Sequence, residues 1–173
     1  VNDLAESKCV SVEDDVDIAT LNLGMIASFY YIQYTTVELF ASSITAKTKI
    51  KGLIEILSAA SEYSLLEMRM GEENVLQGLA AHLPQAMPSG VNFEEPEFKA
   101  IVLLQSHFSR RTLQSDLEAD LNIVLMDSVK LIQALVDTIS SQGWLKPALA
   151  AMELSQMVVQ GLWDKDSPLM QIP

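Results

Sequence analysis

The stretch SDLEADLNIVLMDSVKLIQALVDTISSQG, from Ser115 to Gly143, is the main determinant of the fold predicted for this chain. It contains no proline and no internal glycine, and it is the longest uninterrupted helical pattern in the sequence. Its apolar residues recur every three or four positions and therefore share one face of a helix: Leu117, Leu121, Val124, Leu125, Ile132, Leu135, Val136 and Ile139. About 28 residues at 1.5 Å each make a helix about 42 Å long. Because a small domain is narrower than this, we expect shorter helices to pack against it.

Both ends of this stretch carry signals of a helix boundary. Ser115 and Glu118 have the spacing of a capping box, in which the serine hydroxyl accepts a hydrogen bond from the first turn. Gly143 predicts a left-handed residue directly after the helix. The face opposite the apolar stripe is predicted to be polar, with Asp116, Asp120, Asp127, Lys130 and Asp137.

The same periodicity predicts six shorter helices. Two lie within Leu21–Ile44, broken near Tyr34, with a capping box that starts at Thr35; the others are Thr48–Tyr63, Glu72–Leu83, Glu97–Ser109 and Ala148–Trp163. Prolines predict a loop from Pro84 to Pro96, which includes Ser89-Gly90. In the last helix the residues predicted to be buried are Leu149, Met152, Leu154, Met157, Val158 and Leu162. The expected fold is all-α: a bundle of about six to seven helices around one long central helix, formed by residues 21–173.

Residues 1–20 form an acidic leading segment, which we interpret as a link from an upstream domain. Six acids face the single base Lys8: Asp3, Glu6, Glu13, Asp14, Asp15 and Asp17. Val10, Val12, Val16 and Ile18 alternate weakly with polar residues, which leaves open a short strand or an extended lead-in.

Composition narrows the class of protein. With 173 residues, 49% of them hydrophobic, the chain is expected to form one domain with a sizeable core. Its net charge of −12 disfavours a stand-alone nucleic-acid binder, which usually has a basic surface. No apolar run reaches transmembrane length, so no membrane partner is expected. Because Val1 is not an initiator methionine, we expect a fragment of a longer protein.

The sequence lacks the usual motifs of catalysis. It contains neither a Gly-rich phosphate loop ending in Lys-Ser/Thr nor a Gly-x-Ser-x-Gly motif. His82 and His107 are the only histidines and Cys9 is the only cysteine, too few and too distant for a zinc site. We therefore expect this chain to be no enzyme and to bind no cofactor or metal.

Two basic clusters are candidates for contact with an anion. Arg110 and Arg111 follow a predicted helix, where they suit the negative end of its dipole or contact a phosphate. Lys47, Lys49 and Lys51 lie at the start of a predicted helix, where cations oppose the dipole. Two interpretations stay open for these lysines: a solvated basic turn, which is the more frequent arrangement, and contact with an anionic partner.

Tyr30, Tyr31 and Tyr34 form an aromatic cluster with two interpretations. Exposed tyrosine rings stack on the bases of single-stranded RNA. Tyrosines also lie half-buried at the edge of a core with the hydroxyl at the rim, which is the more frequent arrangement.

Five blocks of the sequence, taken in order, carry a resemblance to a known family: Leu21–Ala27, Tyr34–Phe40, Ala46–Lys49, Gly52–Ile56 and Gly143–Leu154. Together they resemble the large spliceosomal RNA helicases of the U-five small nuclear ribonucleoprotein. The similarity is to the helical bundle that follows the winged-helix domain in the second helicase cassette. That bundle opens the Sec-type module shared with a subunit of the endoplasmic-reticulum translocon.

The resemblance implies a bundle built on a long "ratchet" helix. In an active cassette this helix crosses the RNA channel, and a polar pair three residues apart contacts the strand. The matching positions here are Asp127 and Lys130. A carboxylate at Asp127 departs from the pattern, because it would repel a phosphate, and it favours the second, inactive cassette. The implied location is the nucleus, and the implied partners are neighbouring helicase domains of the same chain and spliceosomal proteins. ATP and magnesium would bind elsewhere in the parent helicase.

The residues and the resemblance leave three possible functions for this chain. The first is a scaffold that braces the helicase cassette and docks proteins in pre-mRNA splicing. The second is a ratchet that grips RNA directly, at most weakly, through Asp127, Lys130, Arg110 and Arg111 together with the lysines at 47, 49 and 51. The third is a free-standing adaptor bundle, which the acidic leading segment disfavours.

Overall fold

The computed structural model describes residues 1–13, 17–88 and 92–171. Asp14, Asp15 and Val16 of the leading segment, and Ser89-Gly90 of the predicted loop, lie outside the described residues. The described part contains eight α-helices and one two-stranded antiparallel sheet. In chain order these are α1 Asn2–Glu6, β1 Val10–Glu13, β2 Asp17–Thr20, α2 Asn22–Tyr30, α3 Tyr34–Ser43, α4 Ile50–Ser58, α5 Glu72–Ala80, α6 Pro96–Phe108, α7 Ser115–Ser141 and α8 Leu145–Gln160. Two short 3-10 helices cover Ser61–Leu65 and Pro168–Gln171. The predicted helical bundle is confirmed.

The predicted long helix is α7, which packs against α2, α3, α4, α6 and α8. Its stripe faces the core: Leu117, Val124, Ile132, Leu135 and Ile139 are buried, and the other three are half-buried. Gly143 has φ +75°, the left-handed conformation predicted for it.

The predicted capping box at the start of α7 is wrong. The N-cap is Gln114, and the Ser115 side chain makes no cap hydrogen bond because it already lies in the first turn.

Helix α6, rather than α7, is buried on all sides. Every residue from Phe98 to Ser106 is buried, as is Phe108. A helix with most of its faces apolar is buried in this way, and other elements cover each face of α6. Its neighbours are α4, α5, α7, α8 and the 3-10 helix Ser61–Leu65.

The start of α3 is capped by a residue distant in sequence. The predicted capping box at Thr35 is wrong, because α3 already begins at Tyr34. Instead, the backbone N–H of Gln33 donates to Oε1 of Glu62 at 2.8 Å, and the Thr36 hydroxyl donates to Oε2 at 2.6 Å. One carboxylate of the first 3-10 helix thereby satisfies groups at the positive end of α3.

Two predicted helices differ in extent or register. The predicted helix Thr48–Tyr63 is divided into α4 and the first 3-10 helix, because Ala60 is extended. In α8, Leu149 and Met152 were predicted to be buried but are 55% and 48% exposed. The buried side of α8 instead follows Ala148, Ala151, Leu154 and Val158, since small residues allow close packing against α7.

The leading segment folds into α1 and a hairpin of β1 and β2. Of the two alternatives left open by the alternating residues, a short strand or an extended lead-in, the strand is the one observed. Val10 pairs with Thr20, and Glu13 with Asp17. The backbone N–H of Leu21 donates to the carbonyl oxygen of Cys9 at 2.9 Å. A Cβ at Gly24 would lie only 2.1 Å from that oxygen, so glycine permits this close approach to α2. A link to an upstream domain stays a prediction.

Candidate interaction surfaces

Four charged side chains, here called the ionic cluster, meet between α5, α6 and α7: Arg69, Glu72, Lys99 and Asp120. Nζ of Lys99 donates to Oε2 of Glu72 and to Oδ2 of Asp120, each at 2.7 Å, and the side chain of Lys99 has no exposed area. Nη1 of Arg69 donates to Oε1 of Glu72 at 2.9 Å and to Oδ2 of Asp120 at 2.5 Å. Two cations therefore neutralise two buried anions.

The ionic cluster shifts the pKa values of its carboxyl groups. Burial alone raises the pKa of Glu72, but hydrogen bonds from Lys99 and Arg69 outweigh it and leave this pKa below its usual value. Burial likewise raises the pKa of Asp120, and the same two cations reverse the direction, so this pKa is also lowered. Both carboxyl groups are therefore ionised at neutral pH and hold their helices in register.

The ionic cluster was not predicted from the sequence. Asp120 was predicted on the exposed polar face of the long helix, which is wrong, since Asp120 is 5% exposed. A signal was present, because Asp120 follows Leu117 by three residues and precedes Val124 by four, and so lies within the apolar stripe. Lys99 is the second signal, as the lone base inside an otherwise apolar stretch of α6.

Asp127 and Lys130, the predicted polar pair, are neighbours on the outer side of α7. Nζ of Lys130 lies 2.8 Å from Oδ1 of Asp127 in an ion pair, and the side chains of Lys130 and Asp127 are 38% and 30% exposed, respectively. Lys130 is the single base of α7, whose other charged residues are acids. The pair is accessible, but its two charges cancel.

The two predicted arginines lie apart from this pair and bind backbone carbonyl groups. Arg110 donates to three carbonyl oxygens at or beyond the end of α8, those of Gly161 (3.1 Å), Met170 (2.6 Å) and Gln160 (3.4 Å). Nη2 of Arg111 donates to the carbonyl oxygen of His82 at 2.7 Å. These bonds give both arginine side chains a structural role. Contact of either arginine with a phosphate stays a prediction.

The second predicted basic cluster borders a cleft of about 690 Å³ between the starts of α4 and α8, here called the lysine cleft. The lysines that line it are Lys47, Lys49, Lys51 and Lys146. Lys146 joins the three predicted residues through the fold alone, since it is about a hundred residues away in sequence. The remaining lining residues are Ala46, Thr48, Ile50, Ala150 and Asp164.

The tyrosine cluster lies at the edge of a largely apolar patch. Tyr30 and Tyr34 are half-buried, as the more frequent arrangement predicted, but Tyr31 is 92% exposed, so that prediction is wrong for it. The Tyr30 hydroxyl donates to Oδ2 of Asp137 at 2.7 Å, and this bond raises the tyrosine pKa to about 12.

Two shallow clefts, of about 350 and 330 Å³, flank the bond between Tyr30 and Asp137. Phe29 lines one of them, is 76% exposed and makes an edge-to-face contact with Tyr30 at 4.9 Å between ring centroids. We call this patch the α2 apolar surface, formed by Met25, Phe29, Tyr30, Val136 and Met152. Exposed apolar side chains in such a group make this surface a candidate interaction site.

The described residues contain neither a candidate metal site nor a candidate membrane-spanning helix. In residues 1–13, 17–88 and 92–171, no three histidine, cysteine, aspartate or glutamate side chains lie close enough together to hold a metal ion. In the same ranges, no helix combines the length and apolar character needed to cross a bilayer.

The fold is a helical bundle with several candidate interaction surfaces. The sequence model of the Sec63 Brl domain matches residues 20–173. The chain belongs to the Sec63 Brl domain family, a family of non-catalytic helical domains.

Several curated relatives of the chain are helicases by name. It is 52% identical over 173 residues to the human U5 small nuclear ribonucleoprotein 200 kDa helicase, covering 100% of this chain and 8% of that protein. It is 50% identical over 173 residues to the Arabidopsis thaliana DExH-box ATP-dependent RNA helicase DExH12, with the same coverage. A Dictyostelium discoideum activating signal cointegrator 1 complex subunit 3-like protein is 46% identical over 172 residues, 99% of this chain and 8% of that protein. The chain thus spans 8% of the length of these relatives.

Proposed function

We propose that this chain is a scaffold domain of a spliceosomal ATP-dependent RNA helicase that acts in the nucleus. It braces the helicase cassette, which we assign to the second, inactive one, and docks partner proteins in pre-mRNA splicing. ATP and magnesium bind in other domains of the parent helicase. Similarity along the whole chain to helicases of the U5 small nuclear ribonucleoprotein supports this proposal.

The observation that carries the scaffold role is the charge of α7. A helix that grips RNA needs free cations, because phosphate contacts dominate the affinity of nucleic-acid binding. Lys130, the single base of α7, is already paired with Asp127. Arg110 and Arg111 also donate to carbonyl groups of the bundle itself.

The α2 apolar surface supports the brace. Phe29 and Met25 are 76% and 53% exposed on a rigid helix that packs against α7. Covering such side chains removes apolar area from water and stabilises a contact with a neighbouring domain. We assign this surface to other domains of the parent helicase.

A ratchet is the alternative, favoured by the position of Asp127 and Lys130 three residues apart on the outer side of α7. To separate the two functions, labelled single-stranded oligouridylate is titrated with the chain at low and physiological salt, with fluorescence anisotropy as the readout. For the scaffold, we expect Lys130→Ala to change RNA affinity by less than about twofold at either salt concentration. The matched control is Lys165→Ala, an exposed lysine outside α7. Binding that weakens steeply with salt and is lost only in Lys130→Ala would replace the scaffold with the ratchet.

A bracing role for the α2 apolar surface predicts that the side chain at position 29 is exposed to solvent in this chain and covered by another domain in the longer helicase. Phe29→Cys should be alkylated rapidly in the 173-residue chain, whose natural Cys9 is only 2% exposed. In the longer helicase we expect alkylation to slow by roughly tenfold or more, because a covering domain must first open. Mass spectrometry of the labelled peptide measures both rates. Met70→Cys, near the other end of α7, shows whether the slowing is local to α2. Equal rates at position 29 in both proteins would contradict the brace at this surface.

A further inference from the structure

The lysine cleft concentrates positive charge on an acidic chain. Four of the 11 lysines and arginines line it, although the net charge is −12. Its one acidic lining residue is Asp164. Four like charges around one concave space repel one another, and a low-dielectric wall strengthens the field inside. The cleft is therefore suited to an anionic occupant.

The cations of the cleft are available and are not explained by helix stability. Among the described residues, only Lys51 of these four forms an ion pair, a long one of 3.8 Å to Glu55. Lys49 is the N-cap of α4, and Lys146 is the second residue of α8. Cations at these positions oppose the positive ends of both helices. An unfavourable placement at two separate helices indicates that the positive charge serves a contact outside the bundle.

Among the described residues, the lining between the lysines is mostly apolar, apart from Thr48 and Asp164, and none of it is aromatic. Ala46, Ile50 and Ala150 provide apolar area between the charged groups. Surfaces that bind single-stranded RNA combine cations with aromatic side chains for stacking. A volume of about 690 Å³ also lies within the range of concave sites that enclose apolar groups. These features favour a peptide over a nucleic acid.

We propose that the lysine cleft binds an acidic segment of a partner protein that also carries apolar side chains. An apolar side chain of the segment packs on Ile50 and Ala150. Flanking carboxylates pair with Lys47, Lys49 and Lys146. The inference rests on the docking part of the proposed function and is independent of the brace at the α2 apolar surface.

The test is fluorescence anisotropy with a short labelled peptide in which leucines alternate with aspartates and glutamates. The wild-type chain is expected to bind it, and Lys47→Gln/Lys49→Gln to weaken binding by about tenfold at low salt, the size expected for two exposed charge pairs. The control Lys8→Gln/Lys130→Gln makes the same change in net charge outside the cleft, and we expect it to alter affinity by less than about twofold. Circular dichroism checks that each variant remains helical.

Two further arms test the apolar part of the site. A peptide with serines in place of the leucines keeps the charge and is expected to bind about tenfold more weakly, because it leaves the cleft lining uncovered. Ala150→Glu places a carboxylate in the lining and should abolish binding of the leucine peptide.

Several outcomes would overturn the inference. Equal affinity for the serine peptide would make the cleft a general anion site. Binding of oligouridylate that depends on Lys47 and Lys49, without peptide binding, would make it a nucleic-acid site. Self-association that these lysine variants abolish would make the occupant a second copy of the chain, and binding of none of the probes would leave the cleft without an anionic ligand. The alkylation of position 29 and the RNA dependence on Lys130 are measured separately, so failure here is distinguishable from failure of the proposed function.

Discussion

Replacement of Lys99 by methionine is expected to lower the free energy of unfolding by about 3–5 kcal/mol. Methionine fills a similar volume, but it leaves Glu72 and Asp120 buried with Arg69 as their only cation in the cluster. The bond to the carbonyl oxygen of Glu67 is also lost. Removing one member of a buried ion pair is costly because the remaining charges stay desolvated. Urea unfolding followed by circular dichroism gives the free energy.

A surface pair provides the control for this variant. Lys130→Met removes the exposed ion pair with Asp127 and should cost less than about 1 kcal/mol. A loss for Lys99→Met no larger than the loss for Lys130→Met would mean that the ionic cluster does not hold α5, α6 and α7 together.

The pH dependence of the free energy of unfolding of Lys99→Met is a second test of the ionic cluster. The pKa values of Glu72 and Asp120 are lowered in the folded chain, so the unfolded chain binds more protons as the pH falls. Their contribution is fully present above about pH 4, the pKa range of free carboxyl groups, and is lost as the pH falls through the folded values. In Lys99→Met these pKa values rise, and the difference from wild type should shrink below about pH 4. The raised pKa of Glu97, due chiefly to its burial, acts in the opposite direction but is common to both proteins.

Leu135→Ala is expected to destabilise the chain by about 2–5 kcal/mol. Leu135 lies in the buried stripe of α7 and has no exposed area. The variant loses the transfer free energy of the removed groups and leaves a cavity that the surrounding helices fill only in part. The midpoint of urea unfolding should fall with little change in its denaturant slope.

Leu149→Ala on α8 is the matched control, because the same truncation is made at a leucine that is 55% exposed. We expect this control to change stability by no more than about 0.5 kcal/mol, as surface substitutions usually do. A loss below about half a kcal/mol for Leu135→Ala would mean that the stripe faces solvent.

Patterns local to the chain predicted the long helix well. The period of its apolar residues predicted α7 within two residues of its observed end, and Gly143 was correctly placed in the left-handed conformation. The helix caps were predicted less well. Glu62 caps α3 from the first 3-10 helix, a role that no spacing near Tyr34 could indicate.

The candidate sites, too, were predicted only where their residues are close together in sequence. The cluster of Lys47, Lys49 and Lys51 was visible as a local run against the helix dipole. Lys146 completes the lysine cleft only because α8 packs beside α4. The exposure of Phe29 likewise depends on which face of α2 meets α7.

Local patterns in the sequence were enough to predict the all-α class, the long helix with its buried stripe, and the acidic character of the chain. These properties follow from composition and from apolar periodicity, which relates residues a few positions apart. The burial of Asp120 beside Arg69, 51 residues away, and beside Lys99 depends on how the helices pack. A carboxylate is polar in any local pattern, and only the cations brought to it by α6 and by the residues before α5 make its burial stable.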